Sequence, residues 1–182
     1  MSIVDLFQEK TVFSFEVFPP RRNSPVETIY DTLDELRDLK PDFISVTYGA
    51  GGGKNNQSTI PIAEHIKKVC EVPSVVHFPC INLTKQDVLE KIEELKTAGI
   101  KNILALRGDI PEGEENRGDF RYASDLIAFL KEHGNFHISA ACYPEGHIES
   151  ADRVEDIRYL KNKVDAGAEH LISQLFFENK QF

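Results

Sequence analysis

Short runs rich in β-branched and aromatic residues alternate with amphipathic helical segments along the chain, and this regularity narrows the possible folds more than any other feature. Strands are predicted over 11–18, 43–48, 74–78, 102–106, 137–142 and 171–177. Between the first two, Ser24 is an N-cap candidate, Pro25 suits the first helical turn and Glu27 can close a capping box. Ile29, Leu33 and Leu36 then share one helical face. Further helices are predicted over about 58–70, from Thr84 to Gly99, and over about 122–133. Thr84 and Asp87 form a second capping-box signal ahead of Val88, Ile92 and Leu95. Val154, Ile157, Lys161 and Val164 recur at helical spacing, with Gly167 as the C-cap.

Such alternation implies parallel strands joined by right-handed crossovers. A (β/α) barrel and an open doubly wound sheet both satisfy it. A complete eight-stranded barrel takes about 250 residues. The 182 residues here supply six strands, the last with no helix after it. The chain is therefore read as one domain over 1–182, either an open sheet or a barrel lacking its end.

Charge excludes one class of partner. The net charge of −9 leaves no basic footprint for a nucleic acid. No apolar stretch is long enough to span a membrane, and the N-terminus has no basic region followed by an apolar run, so no signal peptide is expected. Cys70, Cys80 and Cys142 are odd in number and far apart, which reads as reduced thiols in a cytoplasmic protein.

Ligands of parallel α/β folds bind at the carboxyl ends of the strands. Here every predicted strand brings a polar group to its late half: Glu16, Thr47, His77, Arg107 with Asp109, Tyr143 with His147, and Gln174. Glu16 sits among phenylalanines. Desolvation there would raise its pKa towards the range a general acid needs, whereas an edge position or a lysine partner would leave it an ordinary carboxylate. Arg107 can grip a diphosphate through two bonds and Gly108 permits close backbone approach; an ordinary turn with a surface ion pair would look the same. The glycines at 49 and 51–53 match neither the Rossmann nor the Walker spacing and read as a loop beside a pocket. His77, Cys80, Cys142 and His147 lie on separate strand ends without ligand spacing, so no metal is expected. His65, His133, His137 and His170 read as surface or boundary residues, and 112–115 as a solvated acidic loop.

Seven motifs, taken in order, resemble the methylenetetrahydrofolate reductase family: SFEVFPP at 14–20, VTYGAGG at 46–52, LRGD at 106–109, YASDL at 122–126, ACYPEGH at 141–147, KVDAGA at 163–168 and SQLFF at 173–177. The resemblance runs along essentially the whole chain. It implies a (β/α)8 TIM-barrel fold, here truncated after about the sixth strand, with FAD at the strand carboxyl ends. It also implies ping-pong reduction of 5,10-methylenetetrahydrofolate to 5-methyltetrahydrofolate, with NADH or NADPH as hydride donor. A chain keeping the fold, with or without FAD binding, but lacking turnover is the alternative. A barrel aldolase or isomerase would need a Schiff-base lysine, and the predicted strands carry none.

By resemblance Glu16 is the general acid at N10 of the folate. Asp109 lies near pterin and flavin and, with Glu16 and Gln174, contacts substrate; Gln174 also meets the nicotinamide. Thr47, Tyr48 and Ala50 match positions lining the flavin. His77, Arg107, Gly108, Asp109, Tyr122, Ala123, Tyr143, His147, Asp156 and Lys163 match positions that hold FAD. Val17 and Tyr159 depart from the family pattern, the first where an aromatic residue is common and the second where a smaller amide is. The two further strand–helix units of family barrels are not seen in the sequence, and open strand edges favour self-association, so a homo-oligomer is expected.

Overall fold

The computed structural model describes residues 2–20, 27–48, 58–110, 113 and 115–182. A short helix, α1 (Ile3–Leu6), leads into β1 (Ser14–Val17). There follow α2 (Glu27–Asp38), β2 (Phe43–Val46), α3 (Thr59–Lys68), β3 (Ser74–Pro79), α4 (Lys85–Thr97) and β4 (Asn102–Leu106). The chain continues through α5 (Ala123–His133), β5 (His137–Cys142), α6 (Arg153–Asp165), β6 (His170–Ser173) and a 3-10 turn at Asn179–Gln181. The six strands are parallel and lie in sequence order, β1 through β6.

That order decides between the two architectures. A doubly wound sheet reverses its strand order and puts helices on both faces. Right-handed crossovers between successive neighbours put them all on one face. The main core records this. Leu33 of α2, Ile62 and Ile66 of α3, Val88, Ile92 and Leu95 of α4, and Leu126 and Leu130 of α5 pack on Val17, Ile44, Val46, Val76, Phe78, Ile103 and Ile138. Alternate strand residues point the other way. Phe43, Val75 and Leu104 form a second cluster with Ile3 of α1, flanked by Leu6, Val12 and Ile172. The sheet is thus singly wound, like part of a barrel, and α1 covers its inner face near the amino ends of the strands. Ser2 caps α1 by accepting from the Val4 N–H, and the Ile3 N–H donates to Oδ1 of buried Asn102 at 3.2 Å.

The local signals act as the sequence predicts. The Thr84 hydroxyl accepts from the Asp87 N–H while the Asp87 carboxylate accepts from the Thr84 N–H, so two orphan donors are satisfied. The predicted Ser24 cap and the 49–57 loop lie outside the described residues. Strand ends are shorter than predicted: β1 starts at Ser14 and β6 stops at Ser173, because pairing with a neighbour sets strand length. The apolar stripe of α6 is present, but no residue of α6 is buried. Val154, Ile157 and Val164 are exposed, as are Leu175 and Phe177 beyond β6. Among the described residues no helix is long and apolar enough to cross a membrane.

Ile92 and Ile157 give a direct test of this asymmetry. Ile92→Ala is expected to cost about 2–5 kcal/mol, since it opens a cavity in the closed core. Ile157→Ala is expected to stay within about 0.5 kcal/mol. Denaturant midpoints at constant m-value measure both.

Candidate active site

The inward-facing residues of the carboxyl ends form the site. On β1, Phe15 and Val17 turn towards the helical layer, which leaves Glu16 on the inner face. The same parity puts Thr47 and His77 on that face just beyond β2 and within β3. Nε2 of His77 lies 3.3 Å from the Glu16 carboxylate. His77 is nearly buried, and burial pushes its imidazole down to about 4, so at neutral pH this contact is not an ion pair. Both His77 Nε2 and Thr47 Oγ1 are buried and have no hydrogen-bond partner among the described residues. Each such group costs about 1–3 kcal/mol unless something bonds to it.

Glu16 itself corrects the sequence expectation. Its side chain is 50% exposed, not desolvated. The flanking phenylalanines do not shield it: Phe15 turns to the helices, while Phe13 and Phe18 are largely exposed. Neighbours in sequence alternate faces along a strand, so they cannot enclose one another.

A charged cluster occupies the ends of β4 and β5. The Arg107 guanidinium donates to both oxygens of Glu149, at 2.5 and 2.6 Å. This bond holds Glu149 below the usual carboxylate range and raises Arg107 further. Asp109 and Tyr143 contribute to the field at Arg107. Lys163, reaching in from α6, donates to the Ala141 carbonyl at 2.8 Å and lies 5.7 Å from the Tyr143 ring centroid. Burial lowers the Lys163 pKa, opposed by Asp156, and burial raises that of Tyr143. His147 packs edge-on to Tyr143 and its Nδ1 accepts from the Glu149 N–H. Ser150 donates to Asp156. Gly108 has φ +88°, and a Cβ there would come within 2.7 Å of Ile81, so this turn takes no side chain.

A family model for methylenetetrahydrofolate reductase matches residues 2–182. The chain belongs to the methylenetetrahydrofolate reductase family. The 5,10-methylenetetrahydrofolate reductases of Pectobacterium carotovorum subsp. carotovorum and Escherichia coli (strain K12) are each 41% identical over 169 residues, 93% of this chain and 56% of theirs. Methylenetetrahydrofolate reductase (NADH) 1 of Arabidopsis thaliana is 36% identical and matched over 32% of its length. The chain thus spans about half the length of the bacterial relatives. A Clostridium thermocellum protein that binds two copies of 5-methyl-5,6,7,8-tetrahydrofolic acid superposes with a TM-score of 0.63 at 13% identity, over 97% of this chain and 58% of that one. A phosphonopyruvate hydrolase gives 0.66 at 12%, over 93% and 60%. These likenesses are of fold, and the fold is barrel-like.

Within this chain, the predicted site residues fall into three groups. Glu16, Thr47 and His77 gather on the inner face. Arg107, Gly108, Asp109, Tyr143, His147, Asp156 and Lys163 surround the ends of β4 and β5. The rest lie apart. Tyr48 faces the helical layer, where it lines a small cavity with Thr59, Phe78, Lys91 and Leu95. Tyr122 tilts against Tyr159, ring centroids 5.2 Å apart, at the start of α5, where Ala123 is buried. Gln174 is anchored through its N–H to the Cys142 carbonyl and its side chain is exposed. Ala50 lies outside the described residues. Among the described residues the strand-end His77, Cys80, Cys142 and His147 form no close ligand group. Cys80 is a buried thiol pushed up to about 12 by desolvation, and all three cysteines are free. Glu149 was not foreseen from sequence; its only signal is an acidic residue two positions after His147.

The His77 imidazole gives a pH test. Its folded pKa lies below the unfolded value, so the unfolded chain takes up protons first. Stability is therefore complete above about pH 6.5 and falls as pH drops towards about 4, by on the order of 3 kcal/mol. His170, also lowered by burial, adds in the same direction. Stability curves for the parent and His77→Leu are expected to diverge over this window, the variant being flatter.

Proposed function

We propose that this domain holds FAD at the strand carboxyl ends and reduces 5,10-methylenetetrahydrofolate to 5-methyltetrahydrofolate with NAD(P)H. Membership of the family supports the reaction. The observation that carries the site is the pairing of two cations, Arg107 and Lys163, with a second patch of buried polar atoms that make no hydrogen bond among the described residues, Thr47 Oγ1 and His77 Nε2.

The residues fit FAD. A flavin dinucleotide needs cations for its diphosphate, polar atoms along its ribityl and ring edges, and a turn that lets the backbone come close. Arg107 and Lys163 supply the first, Thr47 and His77 the second and Gly108 the third. Tyr143, His147 and Asp156 flank the two cations, and Tyr122 and Ala123 open α5 beside Cys80, whose thiol donates to the Tyr122 carbonyl. When bound, FAD would supply the redox chemistry, hydride transfer between nicotinamide and folate.

The chain's own part is to orient and to move a proton. Glu16 donates to N10 of the folate, which opens the five-membered ring to an iminium cation. Half-exposed Glu16 is open to a bound ligand on the inner face. The neutral state of His77 matters here, because an imidazolium at 3.3 Å would hold Glu16 ionised. Asp109 faces the developing cation and stabilises it electrostatically. Gln174 contacts folate and nicotinamide from the end of β6. The exposed apolar residues of α6 and beyond β6 suit a homo-oligomeric assembly.

Two experiments test this. The visible spectrum of the chain with FAD should bleach on anaerobic addition of NADH. Glu16→Gln should keep that bleaching and lose reoxidation by methylenetetrahydrofolate; loss of both half-reactions alike would remove Glu16 from the acid role, and a folded chain that never retains FAD would overturn the site. Glu149 competes with a diphosphate for Arg107. Glu149→Gln is therefore expected to tighten FAD roughly two- to five-fold, the worth of a half-exposed ion pair, and unchanged or weaker binding by fluorescence titration would contradict the competition.

A further inference from the structure

Far from the strand ends, where α3 finishes, one group of side chains has no part in the reaction. The Val69 and Cys70 N–H groups both donate to the His65 carbonyl, and Glu71 turns the chain with φ +58°. This turn brings Cys70 back beside His65, against the last turns of α2 and Asp34. One ligand atom each from Asp34, His65 and Cys70 lies within 4.8 Å of the other two. Among the described residues no other group of three His, Cys or carboxylate side chains is so close.

Each member is poorly satisfied as it stands. His65 Nε2 is buried and has no hydrogen-bond partner among the described residues. The Cys70 side chain is 3% exposed, and its thiol has only a 4.0 Å contact to the Leu33 carbonyl. Asp34 is half exposed and meets Arg37 only at 3.7 Å. Tyr30 stacks on the His65 ring at 4.3 Å and fixes its plane. Sulfur, imidazole nitrogen and carboxylate oxygen together are a donor set for a borderline divalent ion, and three such ligands leave a fourth tetrahedral position for water.

We propose that Asp34, His65 and Cys70 form a Zn²⁺ site that clamps α2 to the end of α3, at the end of the sheet opposite the active site. Zinc–ligand bonds of about 2.0–2.3 Å put tetrahedral ligand atoms roughly 3.5 Å apart. The half-exposed Asp34 closes the remaining gap by leaving Arg37. Binding converts the Cys70 thiol to thiolate and releases one proton to solvent. Burial, with Asp34 adding, holds that thiol above its ordinary pKa. Affinity therefore rises with pH. Arg37 is the one nearby cation whose charge acts on Cys70, and it opposes the ion. The clamp joins two helices of the outer layer, so its effect is on stability rather than turnover.

The test uses the whole chain, stripped with chelator and kept reduced, titrated with Co²⁺ as the probe. A sulfur-to-cobalt charge-transfer band in the near ultraviolet is expected, with the strong visible bands of four-coordinate Co²⁺. Excess Zn²⁺ should remove these bands and raise Tm. Cys70→Ser should abolish the charge-transfer band, whereas Cys142→Ser should retain it. Should Cys70→Ser fail to fold, His65→Gln and Asp34→Asn decide: both are expected to weaken Co²⁺ binding and shrink the Zn²⁺-induced rise in Tm. No band in the parent, a band lost with Cys142 instead, or unchanged affinity in both His65→Gln and Asp34→Asn would each overturn the site.

Discussion

Every strand of this sheet shares its two faces unequally, and the rest of the structure depends on that division. Sequential parallel strands joined by right-handed crossovers send all helices to one side. Val17, Ile44, Val46, Val76, Ile103 and Ile138 meet them there in a continuous apolar layer. The alternate residues face inward. At the amino ends they are apolar and covered by α1; at the carboxyl ends they are Glu16, Thr47 and His77. Period-two alternation separates the core from the site along each strand, so stability is concentrated on one side and chemistry is free to vary on the other.

Electrostatics within the site follows from the same division. His77 is buried enough to stay neutral, while Glu16, one strand away, is half exposed. Their contact is therefore not an ion pair. Arg107 is different: its fork is filled by both carboxylate oxygens of Glu149. The candidate site keeps one cation paired and, among the described residues, leaves two buried polar atoms without a hydrogen bond, an arrangement that costs stability.

Much of the fold was legible in the sequence because it rests on local rules. β4 and β5 occupy the predicted residues, the Thr84–Asp87 capping box closes as its spacing requires, and the seven ordered motifs identify the family. Less legible was α1. Its Ser2 cap and the i, i+3 pair Ile3 and Leu6 are a faint signal, and a four-residue helix exists only because Asn102 and the inner face of the sheet hold it. The stripe on α6 was legible as helix but not as exposed surface, since periodicity shows which residues share a face and not what meets that face.

The sequence by itself determined the alternation, the parallel sheet, the family and the residue types at the strand ends, because each is encoded in neighbours or in motif order. Only the tertiary structure decided that the sheet is singly wound, that Glu16 is half exposed beside a neutral His77, that Glu149 occupies Arg107, and that Asp34, His65 and Cys70 converge. The physical reason is the same in each case. Exposure, protonation and pairing are set by groups 30 to 60 residues away in some cases and a single turn away in others, and it is crossover geometry, not local spacing, that brings the distant ones together.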